Sequence, residues 1–363
     1  MYRTTLKISI IFLYLIIIAG AIVRMTGSGM GCPDWPKCFG YYIPPTEEAQ
    51  IQWEPNKAYK KGYIIIVEES LRIAPKDFTS AATYSESNWS TYDKHDYATF
   101  NVWQTWIEYI NRQVTVLAGI PILLMIISAF WYWKRRPWLI FGSFFVLPLM
   151  GFEAWLGKQV VDSNLLPVKI TIHLIAALVI VALLLYLWYK SQEKEGSTLS
   201  RNRTREIQDH RESEALKLKK HDPLFKNLVL LAGVLTLVQV VFGTQVRQYV
   251  DEQVIALGYD AKDQWLNPPT VMFYVHRSFS ILVTLLNVYL FWRNRKYLLG
   301  HANLMLWILI LIALEVVTGI AMYYIDFPFG TQPLHLVVAS LLFGVQFYVY
   351  LESMRSREEV RTA

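Results

Sequence analysis

The chain is short of charge and of cysteine. Charged residues make up 18% of its 363 residues and only two cysteines are present, whereas 54% of the residues are hydrophobic and the mean hydropathy is +0.28. This composition is rare in a soluble domain of such length. Two cysteines are too few for a disulfide-rich scaffold, and without a second ligand pair they do not suit a structural zinc site. The composition therefore predicts a membrane protein.

The sequence contains long apolar runs. About 20 mostly apolar helical residues cross a hydrocarbon core of ~30 Å, and lipid requires each spanning segment to satisfy its own backbone polar groups. The fold class predicted is therefore all-α integral membrane with eight transmembrane helices. The eight runs lie near 8–23, 107–132, 138–156, 168–189, 227–243, 269–292, 303–324 and 333–351.

Basic residues give the predicted orientation. If all eight runs span, one side carries Arg3, Lys7, "WKRRP" (133–137), the ten Lys and Arg residues of 190–226, "WRNRK" (292–296), Arg355, Arg357 and Arg361. By the positive-inside rule this side is cytoplasmic, so both termini are expected inside. The first run is too long for a signal peptide and lacks a small-residue cleavage site, so a retained helix is expected. The net charge of +6 is then mainly a topology signal, and no nucleic-acid partner is expected.

The long segment 25–103 falls on the outer side and contains both cysteines, Cys32 and Cys38, in "GCPDWPKCFG". In an oxidising compartment, two cysteines this close are expected to form a disulfide. Its role stays open between a structural staple and a redox function. The polar stretch "TYSESNWSTYDKHDY" (83–97) matches no cofactor motif and could form a lid or contact a partner.

The chain repeats itself once. Four motif pairs occur in the same order in two halves: "AIVR" (21–24) with "TQVR" (244–247), "WIEYINRQVTVL" (106–117) with "MFYVHRSFSILV" (272–283), "EAWLG" (153–157) with "EVVTG" (315–319), and "IHLIAAL" (172–178) with "LHLVVASL" (334–341). Each motif recurs four helices later, an even number, so the two helices of each pair run in the same direction. We predict two four-helix bundles, 1–189 and 227–363, related by a pseudo-twofold axis along the membrane normal and joined by a charged linker, 190–226.

The predicted helices divide the seven histidines into two groups. His95, His210, His221 and His301 fall in loops or at a helix start, where solvated side chains are expected. His173, His276 and His335 fall within membrane helices, where an ionisable side chain is costly and faces the bundle interior. His276 and His335 occupy the second and fourth helices of one half at matched depth. This arrangement suits bis-imidazole ligation of a haem, and the alternative is a structural polar pair.

Four arginines lie near the outer helix ends, two in each half: Arg24, Arg112, Arg247 and Arg277. They could pair with carboxylates of a buried ligand, and haem propionates would fit that position. Interfacial snorkelling is an equally good interpretation for Arg24 and Arg247. It fits Arg112 and Arg277 less well, because each directly follows the ligand position.

These motifs together resemble the haem A synthase family over nearly the whole chain. The residues that carry the resemblance are "RMTGSGMGCPDWPKC", the Glu-x-x-[His]-Arg pattern of the second helix, the "HR" of the sixth, and the histidines of the fourth and eighth. The resemblance implies a bacterial plasma-membrane enzyme that oxidises a methyl group of haem O to the formyl group of haem A, for terminal oxidases. It implies haem O synthase (protohaem farnesyltransferase) and an electron donor or acceptor as partners.

The resemblance also implies a site in each half. In the C-terminal half, haem B would be the cofactor, with His276 and His335 as iron ligands. From their position at the outer helix ends, we expect Arg247 and Arg277 near this haem. The N-terminal half would receive the substrate haem, with Glu108 catalytic. From the repeat and the outer helix ends, we expect this haem to lie among His173, Asn111, Arg112 and Arg24. The cysteine pair of the family corresponds to Cys32 and Cys38.

Asn111 departs from the family pattern, which commonly has histidine at that position. An amide is a poor haem-iron ligand compared with imidazole. We therefore expect His173 to bind the substrate haem on one face, leaving it five-coordinate or completed by water or a loop group such as His95. Glu108, three residues before Asn111, would share its helix face and could shuttle protons, the alternative being a merely hydrated carboxylate. Glu153 and Glu315 are expected to be structural hydrogen-bonding residues.

Two other function classes use the same residue types. A membrane b-type cytochrome that acts only as an electron carrier would also pair transmembrane histidines and would need no catalytic glutamate. A duplicated transporter could relay protons through intramembrane His and Glu. The transporter reading predicts helices broken near the midplane, and these runs are largely unbroken.

Overall fold

The computed structural model describes residues 1–92, 99–163, 165–192 and 222–361, and most of that length is helical. Eight helices are long and apolar enough to cross a membrane, which confirms the predicted fold class. They are α1 (Tyr2–Met25), α2 (Val102–Ala129), α3 (Pro137–Val161), α4 (Pro167–Ser191), α5 (Pro223–Leu257), α6 (Val271–Tyr297), α7 (Ala302–Tyr324) and α8 (Thr331–Arg361).

Helix α5 is longer than its apolar run of 227–243. Its 35 residues correspond to about 52 Å at 1.5 Å per residue, more than the ~30 Å hydrocarbon core requires. The helix begins where Asp222 caps it, accepting hydrogen bonds from the backbone N–H groups of Leu224 and Phe225, with Pro223 as the first helical residue. Hydropathy alone predicts that the helix ends at its last apolar residue. In the structure its backbone hydrogen bonds continue through the polar stretch that follows.

The C-terminal half, α5 to α8, forms a four-helix bundle. Contacts join α5 to α6, α6 to α7, α7 to α8 and α8 back to α5, so each helix has two neighbours. Its buried core includes Val229, Leu290, Met305, Ile308 and Leu342. This closed arrangement brings the second and fourth helices of the half to face one interior.

One histidine prediction is wrong. His301 was expected to be solvated at the start of α7, but only 5% of it is exposed, and its ring stacks on Phe225 with centroids 5.7 Å apart. Its backbone N–H donates to the side-chain oxygen of Asn294. The turn between α6 and α7 folds back onto the bundle, so position at a helix start does not mean contact with water. His95, His210 and His221 lie outside the described residues.

The outer segment between α1 and α2 contains strands that the sequence analysis did not predict. Antiparallel pairing joins β1 (Ala58–Tyr59) to β4 (Phe78–Thr79), and β2 (Ile64–Val67) to β3 (Ser70–Ile73), which also pairs with β5 (Ser90–Thr91). The β2–β3 hairpin turns through Glu68 and Glu69, both with positive φ. Two-residue turns of this kind favour Asn-Gly or Asp-Gly, so a Glu-Glu turn gave no recognisable hairpin signal.

The outer segment has its own small cores. Cys32, Cys38, Phe39, Ile51 and Ile64 are buried in one cluster, and a second cluster surrounds Tyr59 and Trp89. The predicted disulfide between Cys32 and Cys38 is present. The cysteine loop is thus packed into a folded layer and is not an unstructured linker.

The chain forms two compact units. One comprises the described residues of 1–11, 121–150 and 174–363 and contains His276 and His335. The other comprises the described residues of 12–120 and 151–173 and contains the disulfide, Glu108 and His173. Residues 193–221 of the predicted linker lie outside the described residues. The predicted halves and their pseudo-twofold axis therefore stay predictions.

Candidate functional site

The C-terminal bundle brings His276 of α6 and His335 of α8 together. Their ring centroids are 6.3 Å apart and the ring planes are inclined at 68°. An imidazole nitrogen binds a metal at about 2.0 Å and its ring centroid lies about 1.1 Å behind it, so two imidazoles on opposite sides of one iron have centroids about 6.3 Å apart. The spacing of this pair therefore fits bis-histidine ligation of one haem iron.

A glycine makes room for the His276 ring. A Cβ added at Gly243 of α5 would lie 3.0 Å from Cε1 of His276, closer than nearly all real contacts of that kind. The backbone carbonyl of His276 accepts a hydrogen bond from the side-chain amide of Gln239, at 3.0 Å. Its Nδ1 is buried and has no hydrogen-bond partner among the described residues. The ring is positioned by packing and backbone contacts, and no carboxylate of the described part of the chain bonds it.

His335 is positioned differently. Its Nδ1 lies 2.9 Å from Oε2 of Glu315 and 2.8 Å from Oγ1 of Thr318, both on α7. Gly319 again provides space, because a Cβ there would lie 3.8 Å from Cε1 of His335. Both contacts use the same ring nitrogen, so the other nitrogen is left for a metal.

The N-terminal half repeats this arrangement at His173 of α4. Its Nδ1 lies 2.6 Å from Oε2 of Glu153 on α3, and a Cβ at Gly157 would lie 3.6 Å from its Cε1. The Glu153 side chain is 10% exposed, whereas that of His173 is 42% exposed. The imidazole is therefore anchored on one edge and accessible on the other. Both glutamates were expected to form structural hydrogen bonds, and each bonds the histidine of its own half.

The two halves differ at the position equivalent to His276. Asn111 occupies the place of His276, and Gly20 occupies the place of Gly243. A Cβ at Gly20 would meet no atom within 4 Å. Oδ1 of Asn111 is buried without a hydrogen-bond partner among the described residues. The N-terminal half thus keeps the glycine that accommodates an imidazole but has a shorter side chain, with an unsatisfied acceptor, in place of the ring.

Glu108 lies beneath the disulfide loop and is 3% exposed. Its Oε2 accepts a hydrogen bond from the backbone N–H of Cys32 at 2.8 Å, and its Oε1 lies 2.5 Å from Nη2 of Arg112. Nη1 of Arg112 donates to the backbone carbonyls of Asp34 and Lys37. One carboxylate and one guanidinium therefore connect the second helix to the loop. This position does not fit the alternative of a merely hydrated carboxylate.

The loop can approach α2 this closely only because residue 31 is glycine. A Cβ at Gly31 would lie 2.6 Å from the backbone carbonyl atoms of Gln104 and 2.7 Å from the backbone nitrogen of Thr105. Oγ1 of Thr105 donates to the carbonyl of Gly31 at 2.8 Å. The two backbones are in direct contact, and this contact determines where the N–H of Cys32 points.

Asp34 of the disulfide loop is a half-buried residue whose Oδ1 is buried, and the sequence analysis did not single it out. Burial raises the pKa of Asp34 above its usual value, although the backbone N–H of Gly40 and the charge of Arg112 act to lower it. The Gly40 hydrogen bond is 3.0 Å long and reaches Oδ2. The only signal in the sequence was the position of Asp34 between the two cysteines.

The remaining three predicted arginines differ in their surroundings. Arg247 pairs with Asp251 one turn along α5, at 2.8 Å, and Arg277 is exposed directly after His276. Arg24 is partly buried near the end of α1. Their predicted pairing with haem propionates stays a prediction. His95, the loop group considered as a further ligand, lies outside the described residues.

Known proteins with similar sequences cover most of the chain. The family model for cytochrome oxidase assembly protein, COX15-CtaA, matches residues 3–347. A protein of Shewanella oneidensis called Heme A synthase is 23% identical over 197 residues, which are 52% of this chain and 45% of that protein. A Wolbachia pipientis protein of the same name is 22% identical over 356 residues, 91% of this chain and 86% of that protein. The match thus spans less than half of the Shewanella relative.

Proposed function

The chain belongs to the cytochrome oxidase assembly protein family, COX15-CtaA, and from this premise we propose that it is a haem A synthase. The proposed reaction oxidises the methyl group of haem O to the formyl group of haem A by successive hydroxylation. Both named relatives are called Heme A synthase, which supports the proposal. The single observation that carries it is that each half has its own set of site residues, an imidazole pair in one half and a histidine together with the buried Glu108 in the other.

In the C-terminal half, His276 and His335 would hold haem B. Their 6.3 Å centroid spacing supports this assignment, and the glycine beside His276 supports a ring kept in one position. Arg247 and Arg277 would lie near its propionates. A haem with two histidine ligands has no open coordination position, so it would supply electron transfer.

In the N-terminal half, His173 would hold the substrate haem on one face. The side chain opposite in the repeat is Asn111, which is a poor iron ligand, so the second face would carry no imidazole. Arg112 and Arg24 would be the propionate partners. The present contacts of Arg112 with Glu108 and the disulfide loop support a further role, since the same guanidinium would hold the carboxylate in place.

Glu108 would be the group that accepts and returns protons. Its position three residues before Asn111 puts both on one face of α2. The N–H of Cys32 and the guanidinium of Arg112 each bond one of its oxygens, so the carboxylate is oriented and shielded from bulk water. A general acid–base must be held within hydrogen-bond reach of its proton, and these two donors provide that orientation.

The proposal includes the cellular setting. The protein would lie in the bacterial plasma membrane with both termini in the cytoplasm, so that the disulfide and Glu108 lie toward the outer side. Its haem O would come from haem O synthase (protohaem farnesyltransferase), and a further protein would exchange electrons with it. Membrane lipid surrounds the eight helices.

Mass spectrometry of extracted haems tests this function. A host that makes haem O would express the wild-type protein, Glu108→Gln, or the control Glu48→Gln, in which an exposed loop carboxylate is changed. We expect haem A or its hydroxylated precursor with the wild type and the control, and neither with Glu108→Gln. Unchanged haem O beside a purified protein that carries haem B would instead indicate the electron-carrying b-type cytochrome.

A further inference from the structure

A carboxylate bonds the fourth-helix histidine in both halves of the repeat. Glu153 lies 2.6 Å from Nδ1 of His173, and Glu315 lies 2.9 Å from Nδ1 of His335. When a histidine binds a metal through one ring nitrogen, a carboxylate on the other nitrogen fixes the ring and makes it a stronger electron donor. The two pairs occupy equivalent positions of the repeated motifs.

The two pairs differ in one hydroxyl group. Oγ1 of Thr318 also lies 2.8 Å from Nδ1 of His335. The same hydroxyl donates its only proton to the backbone of α7, where the carbonyl of Leu314 lies at 2.8 Å and that of Glu315 at 3.0 Å. Its lone pair therefore accepts from Nδ1–H and shares that proton with Glu315. The equivalent residue in the other half is Leu156, which has no hydroxyl group.

His276, which would be the other iron ligand in the C-terminal half, adds no such contact. Nδ1 of His276 has no hydrogen-bond partner among the residues that the structure describes. Any influence of a carboxylate on an iron bound there thus enters through His335 alone. A change at Glu315 or Thr318 is then not masked by a second carboxylate on the opposite ligand.

We propose that Glu315 is a positioning residue that sets how strongly the imidazole of His335 donates electrons to a bound iron, and that Thr318 weakens this effect. For Glu315 this rests on the proposed function in one respect, that the C-terminal half binds haem B. A more strongly donating imidazole stabilises oxidised iron and lowers its reduction potential. Thr318 thereby keeps the potential of this haem higher than Glu315 alone would set it.

Two variants that act in opposite directions test the proposal. Glu315→Gln replaces a charge-assisted hydrogen bond with a neutral one, so the midpoint potential of haem B rises. Thr318→Val keeps the side-chain volume but removes the competing acceptor, so Glu315 takes the whole hydrogen bond and the potential falls. The measurement is a redox titration of the purified, haem-loaded protein, followed by the absorbance of the reduced haem.

Two controls separate this effect from a general disturbance of the site. Thr318→Ser keeps the hydroxyl group, and we expect the wild-type potential. Glu153→Gln changes the other half and leaves the potential of haem B unchanged. If Glu315→Gln loses its haem, Thr318→Val still decides, because it removes one hydroxyl group and introduces no charge.

The possible results distinguish this inference from the proposed function. Opposite shifts of the two variants, with Thr318→Ser at the wild-type value, support the inference. Bound haem B with unchanged potentials, or shifts of both variants in the same direction, overturns it and leaves the proposed function standing. A wild-type protein that purifies without haem overturns the haem B assignment itself.

Discussion

Replacing Gly243 with alanine tests whether the His276 ring needs its present position. The new Cβ would lie 3.0 Å from Cε1, 3.6 Å from Nδ1 and 3.8 Å from Nε2 of that ring, so the ring or the helix must move by a few tenths of an ångström. Such overpacking costs about 1–3 kcal/mol. If this strain falls on the haem-bound state, haem B affinity decreases roughly 5- to 150-fold.

The repeat supplies a matched control in Gly20→Ala. Gly20 occupies the equivalent position in α1, and a Cβ there would meet no atom within 4 Å. Each change also replaces a helical glycine with alanine, which stabilises a helix by about 0.5–1 kcal/mol, so this contribution cancels between the two variants. The difference between them therefore isolates the contact with His276.

The assay is titration of haem B into the purified apoprotein, with the low-spin absorbance spectrum as the readout. We expect Gly243→Ala to bind more weakly or to give a partly high-spin spectrum, and Gly20→Ala to match the wild type. Wild-type affinity and spectrum in Gly243→Ala would refute the reasoning. Equal losses in both variants would also refute it, because the cause would then lie outside this contact.

Three further changes are predicted from other contacts. Gly31→Ala would separate the disulfide loop from α2 and lose the hydrogen bond to Glu108, worth roughly 1.5–3 kcal/mol for a charged acceptor, so haem A production and the unfolding temperature both fall. Asn111→His would place an imidazole opposite His173 beside the open space at Gly20, and the substrate-half haem becomes low-spin in its absorbance spectrum. Asp222→Asn would lose the ion pair with Arg293, seen at 2.8 Å, and destabilise the protein at pH 7 by about 1–2 kcal/mol in thermal unfolding.

The sign of the pH dependence at Asp222 follows from its contacts. Burial acts to raise the pKa of Asp222, but the hydrogen bond from Arg293 and those from the backbone N–H groups of Phe225 and Leu224 outweigh it, and the pKa is lowered. The stability that the carboxylate provides is therefore present above its ordinary pKa of 3.8 and is lost as the pH falls through the lowered value. The difference in stability between wild type and Asp222→Asn should shrink over that acidic range.

Each of these predictions has a result that contradicts it. Gly31→Ala should be compared with Gly119→Ala, a change on α2 with open space around it, and equal effects of the two would exclude the loop contact as the cause. An unchanged high-spin fraction in Asn111→His would show that the ring does not reach the iron. A constant difference between wild type and Asp222→Asn across the acidic range would rule out the ion pair as its source.

The sequence alone was sufficient for the eight helices and for the two sets of repeated motifs. Lipid requires a continuous apolar run for each span, so the membrane-spanning helices can be recognised from hydrophobicity alone. The same repeat identified His276 and His335 as a pair, and the structure places their rings at a spacing that fits one iron. The disulfide was also predicted, because Cys32 and Cys38 are close in sequence and the chain offers no other cysteine.

Tertiary structure alone decided the contacts that join elements distant in sequence. The bond from Cys32 to Glu108 and the clash that excludes any side chain at Gly31 depend on two backbones meeting across more than 70 residues. The strands of the outer segment escaped prediction because Glu68 and Glu69 form a turn that normally uses glycine or asparagine. Local composition reports the solvent that each segment meets, whereas the partner of a buried polar group depends on the packing of the whole chain. For this reason the sequence indicated only structural hydrogen bonds for Glu153 and Glu315, and the structure identified a histidine as the partner of each.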